Sequence, residues 1–293
     1  MCVRLFGGSR RRLRLTGALL VVLGAWPAAV LAQERPSFVT YNHHMEEPGN
    51  LEVGVNPVLG TQRGGGSFLG SWLELEYGVK GWWTMEVYLD GQATRGQGSA
   101  FTGFRWENRW RPLMLEHKVN PVLYLEYASI NEADKTMREV VGHDVEAEHA
   151  EPLDHTREEH EHELEAKLIL SSNVMGWNLA HNWIAEKNLA EGAWEFGYAV
   201  AATRPFTLAA TSRSCTLCAE NFSGGVEVYG GLGDTDSFGF RDTSHYLAPF
   251  VAWSLPGGTT LRLSPTFGLN GNSHRFLLRF GIAREVPVGR GGR

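Results

Sequence analysis

Twelve stretches of this chain, most of them 10 to 13 residues long, alternate apolar and polar residues one by one. In WWTMEVYLD, Trp82 to Asp90, the side chains of Trp83, Met85, Val87 and Leu89 fall on one side, and those of Thr84, Glu86, Tyr88 and Asp90 on the other. A period of two is that of a β-strand. The preceding LGSWLELEYG sets Leu73, Leu75 and Tyr77 against Trp72, Glu74 and Glu76, with Val79-Lys80-Gly81 as a tight turn, so the pair reads as a hairpin. The same reading predicts strands at 49–58, 68–78, 82–92, 100–110, 120–130, 159–171, 174–186, 190–203, 222–231, 245–254, 258–268 and 272–284. Strands of soluble domains usually run about 5–6 residues, whereas a tilted strand that crosses a bilayer needs about 9–11. Length therefore separates two readings that alternation leaves together, and it favours the bilayer.

Connection lengths give an independent test. In a barrel with both termini on one side, connections must alternate between the two ends. Residues 59–67, 93–99, 131–158, 187–189, 232–244 and 269–271 fall on one side. The short set 79–81, 111–119, 172–173 and 255–257 falls on the other, with the longer 204–221 as the exception and room for an extra strand near Phe206–Thr211. Short periplasmic turns and longer outer loops are the habit of outer-membrane barrels, as are Trp and Tyr near strand ends. Trp82, Trp83, Trp106, Trp110, Trp177, Trp183, Trp194 and Trp253 are so placed.

The first 32 residues read as a secretory signal: Arg10, Arg11, Arg12 and Arg14, an apolar run from Thr16 to Leu31, and small residues closing on Ala32. Removing it leaves 22 basic and 33 acidic residues, a net −11, which argues against a nucleic-acid partner. The expected fold is all-β: a single up-and-down antiparallel transmembrane β-barrel of about 12 strands over 49–285, in a Gram-negative outer membrane. Residues 33–48 precede it as a periplasmic segment. Within it, SFVTYNHHM at 37–45 would break the strand parity and so belongs in the periplasm or inside the lumen. The basic tail 286–293 follows.

If the apolar positions face lipid, the charged ones face the lumen, because Arg or Lys at the midplane of the lipid face costs about 2–4 kcal/mol. The lumen-lining charges are then Glu74, Glu76, Glu86, Arg105, Glu107, Arg109, Glu126, Glu163, Glu165, Lys167, Glu195, Glu227, Arg262, Arg275 and Arg279. Closure places the three arginines of the last two strands near the glutamates of strands two and three, where they are expected to pair across the lumen. Such charges either fill a narrow barrel as an ion network or form a constriction that selects solutes.

The longest outer connection carries HDVEAEHAEPLDHTREEHEHE, with five histidines and nine carboxylates between His143 and Glu163. His160 and His162 share one strand face, and His143, His149 and His155 lie within reach of them. This is a donor set for Zn²⁺, Cu²⁺ or Ni²⁺, set against the plain reading of a solvated acidic loop. No other cofactor is implied. Cys215 and Cys218, as Cys-Thr-Leu-Cys, suit a local disulfide in an oxidising compartment.

The run HYLAPFVAWSLPGGTTLRLSPTFGLNGNSHRFLLRFGIARE resembles the closing hairpins of outer-membrane barrels, and WEFGYAVAATRPF resembles their middle strands. The nearest set is the group of transporter-like barrels placed with phenol-degradation meta-pathway proteins. That resemblance implies passive uptake of small molecules. The chain departs from it at the end, where Arg284, Glu285 and Val286 replace a terminal aromatic. The expected function is passive or facilitated passage of a small solute, with the outer-membrane lipid and the barrel-assembly machinery as the other partners. The alternatives are a surface barrel that binds divalent metal through 143–163 and a structural barrel with a sealed lumen. No enzyme is expected. Ser172-Asn173 lacks the preceding His of a lipase-like His-x-Ser-Asn-Gly pattern, Ser273-His274 falls in a turn, and GxSxG is absent.

Overall fold

The computed structural model describes residues 35–61, 66–131, 133–136, 140–141, 160–190, 192–209 and 215–288. The expected signal, its cleavage site at Ala32, and His143, His149 and His155 lie outside them. Twelve antiparallel strands form one closed barrel in simple sequence order. They are β1 (Asn50–Thr61), β2 (Ser67–Lys80), β3 (Trp83–Thr94), β4 (Gly98–Trp110), β5 (Asn120–Asn131) and β6 (His160–Val174), then β7 (Trp177–Asn188), β8 (Trp194–Pro205), β9 (Phe222–Asp234), β10 (His245–Leu255), β11 (Thr259–Gly268) and β12 (Phe276–Pro287). β1 closes against β12 from Asn50↔Pro287 to Thr61↔Phe276, so the sheet has no free edge.

Every expected strand is present, with shifted ends. β6 runs on to Val174, so the expected turn at 172–173 moves to Met175-Gly176. Both residues have positive φ, 50° and 81°, the geometry of a two-residue hairpin turn that follows the strand twist. Gly176 suits that backbone, whereas alternation alone places Met175 in a strand. The described part of the β8–β9 connection holds a single helical turn, Ala219–Asn221, and no extra strand. Cys215 and Cys218 in that connection are joined by a disulfide.

The barrel has a near end, where β1 starts and β12 stops, and a far end. Its outer face is apolar along most strands: Val55, Leu89, Leu123, Leu168, Leu179, Val200, Leu263 and Ile282 are all exposed there. Aromatic residues stack at both rims, Trp82 with Trp83 and Phe222 with Trp253 at the near end, Tyr127 with His162 at the far end. The inner face is the reverse, polar and charged, and two inserts fill it. From the near end, residues 35–46 turn back into the lumen, where Ser37, Thr40, Tyr41 and His43 are buried. Of the segment 33–48, read above as periplasmic with 37–45 either there or inside the lumen, residues 37–43 lodge in the lumen, while His44 is exposed and Glu46 is buried again. From the far end, Ala133–Thr136 and Val141 of the β5–β6 connection fold inward and are buried as well. That connection therefore reaches into the barrel instead of lying wholly outside it.

Candidate functional site

Why does a short, unpaired segment stay inside a barrel? Its backbone needs partners, and the wall supplies them through side chains. Glu227 of β9, fully buried, accepts from three consecutive amides: Phe38 N–H at 3.1 Å, Val39 N–H at 3.1 Å and Thr40 N–H at 2.9 Å. Three amides converging on one carboxylate form an anion nest. Asn182 of β7 accepts from Tyr41 N–H at 2.7 Å and donates to Tyr41 O at 2.8 Å, copying a strand partner. The Tyr41 hydroxyl donates to Glu107 at 2.7 Å, and its ring packs on Tyr124. Arg35 lies over the Tyr41 ring, 3.7 Å from its centre, and 3.7 Å from Glu74. Where the segment leaves the wall, Gly49 N–H bonds Gly78 O at 2.8 Å. A Cβ at position 78 would collide with the carbonyl of Glu47, so only glycine permits that close approach.

Near the mouth, Ser171 Oγ, the His43 ring and Glu116 form a line: Ser171 on Nδ1 and Glu116 on Nε2 at 2.9 Å. These are the residue types of a hydrolytic triad. Ser171 and His43 are 2% and 0% exposed, so no substrate carbonyl reaches the hydroxyl, and the line serves to hold the plug. Burial lowers the His43 pKa, with Glu116 opposing that shift. Ser273 and His274, the other pair considered above, go separate ways. Ser273 Oγ donates to His245 O, while His274 Nε2 donates to Lys135 O at 2.9 Å and its ring packs on Phe68.

The far insert is held in the same manner. Gln92 donates to Ala133 O at 2.6 Å and accepts from Lys135 N–H at 2.8 Å, and Thr102 donates to Asp134 at 2.7 Å. Val39 of the plug and Val140 of the insert pack on one apolar cluster of Val58, Phe68, Tyr229, Tyr246 and Leu277. A cavity of about 90 Å³ remains where plug and insert approach.

The wall charges make up one network. Arg109 contacts Glu76, Glu86 and Glu107, the last at 2.9 Å. Arg105 grips Asp90 with two nitrogens, at 2.9 and 3.2 Å, and reaches Glu126 at 3.6 Å. Lys167 meets Glu165 at 2.7 Å. Glu163 is buried and Glu195 half-buried, both on the inner face. Arg262 and Arg279 are buried in the lumen, and Arg262 lines one cavity together with Glu74 and Glu76 of β2. Arg262 donates to Asn56 at 2.8 Å and to Arg35 O at 2.9 Å, and Arg279 points to the Tyr229 hydroxyl. The plug enters the same space, and its Arg35 stands 3.7 Å from Glu74. Arg275 precedes β12 and is exposed at the far rim, outside the lumen. His160 and His162 stand exposed on the outer face of β6, with His162 bonded to Tyr127 at 2.9 Å.

Register adds what alternation left out. Glu285 pairs with Glu52, Glu52 with Glu76, Glu76 with Glu86, Glu86 with Glu107, and Glu107 with Glu126. The row continues from Glu126 to Glu165, Glu186, Glu195 and Asp234. Ten acidic residues on ten successive strands are thus direct cross-strand neighbours. Nine steps of about 4.8 Å on strands tilted by about 40° raise the row by about 28 Å, close to the full height of an apolar band of about 25 Å. The row is a spiral of carboxylates from near rim to far rim. Glu52, Glu186, Asp234 and Glu285 were missing from the lumen-lining set. For Glu52 the signal was present, since it alternates with Val53 and Val55.

No family model matches the chain, and no curated protein matches it. Among solved structures, an outer membrane channel from Pseudomonas putida F1 has 11% identity and a TM-score of 0.55 over 85% of this chain and 100% of that one. The NanC porin has 8% identity and a TM-score of 0.49 over 80% of this chain and 100% of that one. LpxR from Salmonella typhimurium has 9% identity and a TM-score of 0.43 over 80% of this chain and 99% of that one.

Proposed function

We propose that this protein is an outer-membrane channel for small solutes, with its near end in the periplasm and its lumen stoppered by its own amino-terminal segment. One observation carries the reading. The lumen wall is built for water and charge, and its filling on the near side is a tethered segment held by side chains of the wall. Glu227, Asn182, Ser171 and Thr84 each bond its backbone, and each such bond is exchangeable for water once the segment moves. Cleavage after Ala32 would put the plug at the very start of the mature chain, with a free end and a single tether at residues 47–49. The likeness to an outer membrane channel supports the same reading, as does the apolar outer face with aromatic rims. We place the chain with the transporter-like barrels grouped with phenol-degradation meta-pathway proteins, which its closing hairpins resemble.

The test is planar-bilayer conductance of the refolded mature protein beside a variant lacking residues 33–46. The full chain is expected to open briefly and rarely, and the shortened one to give long, stable steps. A shortened protein that migrates as a folded barrel and yet stays silent would overturn the proposal.

A further inference from the structure

The outer face carries one residue that a lipid-facing wall does not call for. Along the strands the outward positions are aliphatic, aromatic or small. The outward histidines, acids and bases among the described residues, such as His162, Lys187, Arg204 and Arg284, stand near strand ends. His181 of β7 is the exception. Ala180 and Asn182 on either side of it are buried, and Asn182 reaches the plug, so His181 points outward. Its cross-strand neighbours are Leu170 of β6 and Val200 of β8. It lies four residues from Trp177, the near end of β7, and seven from Asn188, the far end. At about 3.4 Å per residue and a tilt of about 40°, these are about 10 Å and about 18 Å along the barrel axis. In an apolar band about 25 Å tall, the imidazole sits well inside the hydrocarbon.

A neutral imidazole carries one donor and one acceptor, whichever its tautomer. The His181 ring touches the Trp183 ring, with centroids 4.6 Å apart, and makes no hydrogen bond among the described residues. Acyl chains offer nothing to either nitrogen. A polar group left so in hydrocarbon is costly, and an ionisable residue kept at that depth marks a functional contact. Few things meet it there. Water and soluble partners stop at the rims, and so do lipid headgroups, which leaves another membrane-spanning protein. Copies of this chain fit the requirement. Inserted by one route, they share one orientation, so an axis that relates two of them runs along the membrane normal. Each residue then meets residues at its own depth, and one beside a twofold axis meets itself. Histidine can be its own partner, since the N–H of one ring donates to the free nitrogen of the other. Leu170, Leu179, Trp183 and Val200 surround it, so two such faces come together without like-charge repulsion.

We propose that this barrel forms a twofold dimer through the outer face of β6, β7 and β8, with His181 of one protomer hydrogen-bonded to the partner's His181. The contact needs only that the barrel lies in a bilayer, so it stands apart from whether the lumen conducts. It also leaves the plug and the lumen wall of each protomer as they are, because β7 presents Asn182 to one side and His181 to the other.

The experiment places single cysteines on the mature protein in lipid vesicles and adds a short bis-maleimide crosslinker. Cys215 and Cys218 are joined to each other and so do not take part. Leu179→Cys lies one outward position from His181, and Val55→Cys, exposed on β1, lies on the opposite side of the ring of strands. Leu179→Cys is expected to give crosslinked dimers, and Val55→Cys only the background of random collision. Adding His181→Leu to Leu179→Cys should cut the dimer band at least fivefold, whereas adding His181→Gln, which keeps a donor and an acceptor, should retain it. Leucine suits a lipid-facing position, so the barrel itself persists, and heat-modifiable gel migration checks that each variant is folded. A dimer band unchanged by His181→Leu would overturn the proposal, as would folded Leu179→Cys that crosslinks no better than Val55→Cys. Equal losses in His181→Leu and His181→Gln would overturn it too, because shape and not hydrogen bonding would then decide the contact.

Discussion

Glu227→Gln is the sharpest perturbation of the plug. The carboxylate gathers the amides of Phe38, Val39 and Thr40 at 2.9–3.1 Å, with Oε1 taking one and Oε2 taking two. Glutamine keeps the shape but offers one acceptor oxygen, and its NH₂ group must face at least one N–H. Hydrogen bonds to a charged group contribute about 1.5–3 kcal/mol each, and a donor left unsatisfied costs about 1–3 kcal/mol. Against this stands the relief of no longer burying a charge, since Glu227 is 0% exposed. The balance is a loss of about 3 kcal/mol for the inserted state, or a rise of about 100-fold in the released population. The strand ladder of β9 is untouched, so the barrel itself should melt as before. The assay pairs single-channel open probability with hydrogen exchange of the peptide spanning residues 35–46. Both should rise together. A folded Glu227→Gln barrel with wild-type open probability and wild-type protection of those amides would refute the reasoning.

Other predictions follow from neighbouring contacts. Asn182→Ala removes the two bonds to the Tyr41 backbone, at 2.7 and 2.8 Å, and should release the plug by about 2 kcal/mol, seen as a smaller rise in the same exchange assay. Gly78→Ala drives a Cβ into the Glu47 carbonyl, and should increase conductance while far-ultraviolet circular dichroism stays that of the wild type. Arg109→Met leaves three buried carboxylates without their shared cation and should lower barrel stability by about 3–5 kcal/mol, read as a shifted urea midpoint of the gel-mobility change. His274, buried and fixed to Lys135 O, has its pKa pulled down to about 4 by burial, with the Lys135 charge also lowering it. Released, it would take a proton near its ordinary value of about 6.5. The far insert is therefore fully held above about pH 6.5 and loosens as pH falls toward 4, losing about 2 kcal/mol at pH 5. Exchange of residues 133–136 should quicken over that window in the wild type and stay flat in His274→Gln.

What the sequence determined by itself was everything that rests on the period of two. Alternation in a segment such as Trp83–Asp90 states that it is a strand and which residues share a face, since neighbouring side chains must point to opposite sides of the sheet. Strand length and the alternation of long and short connections then fix the barrel and the inward direction of Glu86, Arg109 and Glu227. The ends of strands were less legible: Met175 reads as a strand residue because nothing local marks it for a positive φ. Three further things belonged to the tertiary structure. The carboxylate spiral depends on register, and register is set by how strands slide past one another when the barrel closes, which no single strand encodes. The lodging of residues 35–46 depends on Glu227 and Asn182, more than 140 residues away in sequence, which become partners only after β7 and β9 take their places in the wall. The same holds for the cations. Arg262 shares a cavity with the glutamates of β2, but it also holds the plug's backbone, and the plug's own Arg35 stands beside Glu74 there, which the wall strands alone do not foretell. A lumen is a shared interior, and what each wall residue touches is decided by what else has entered it.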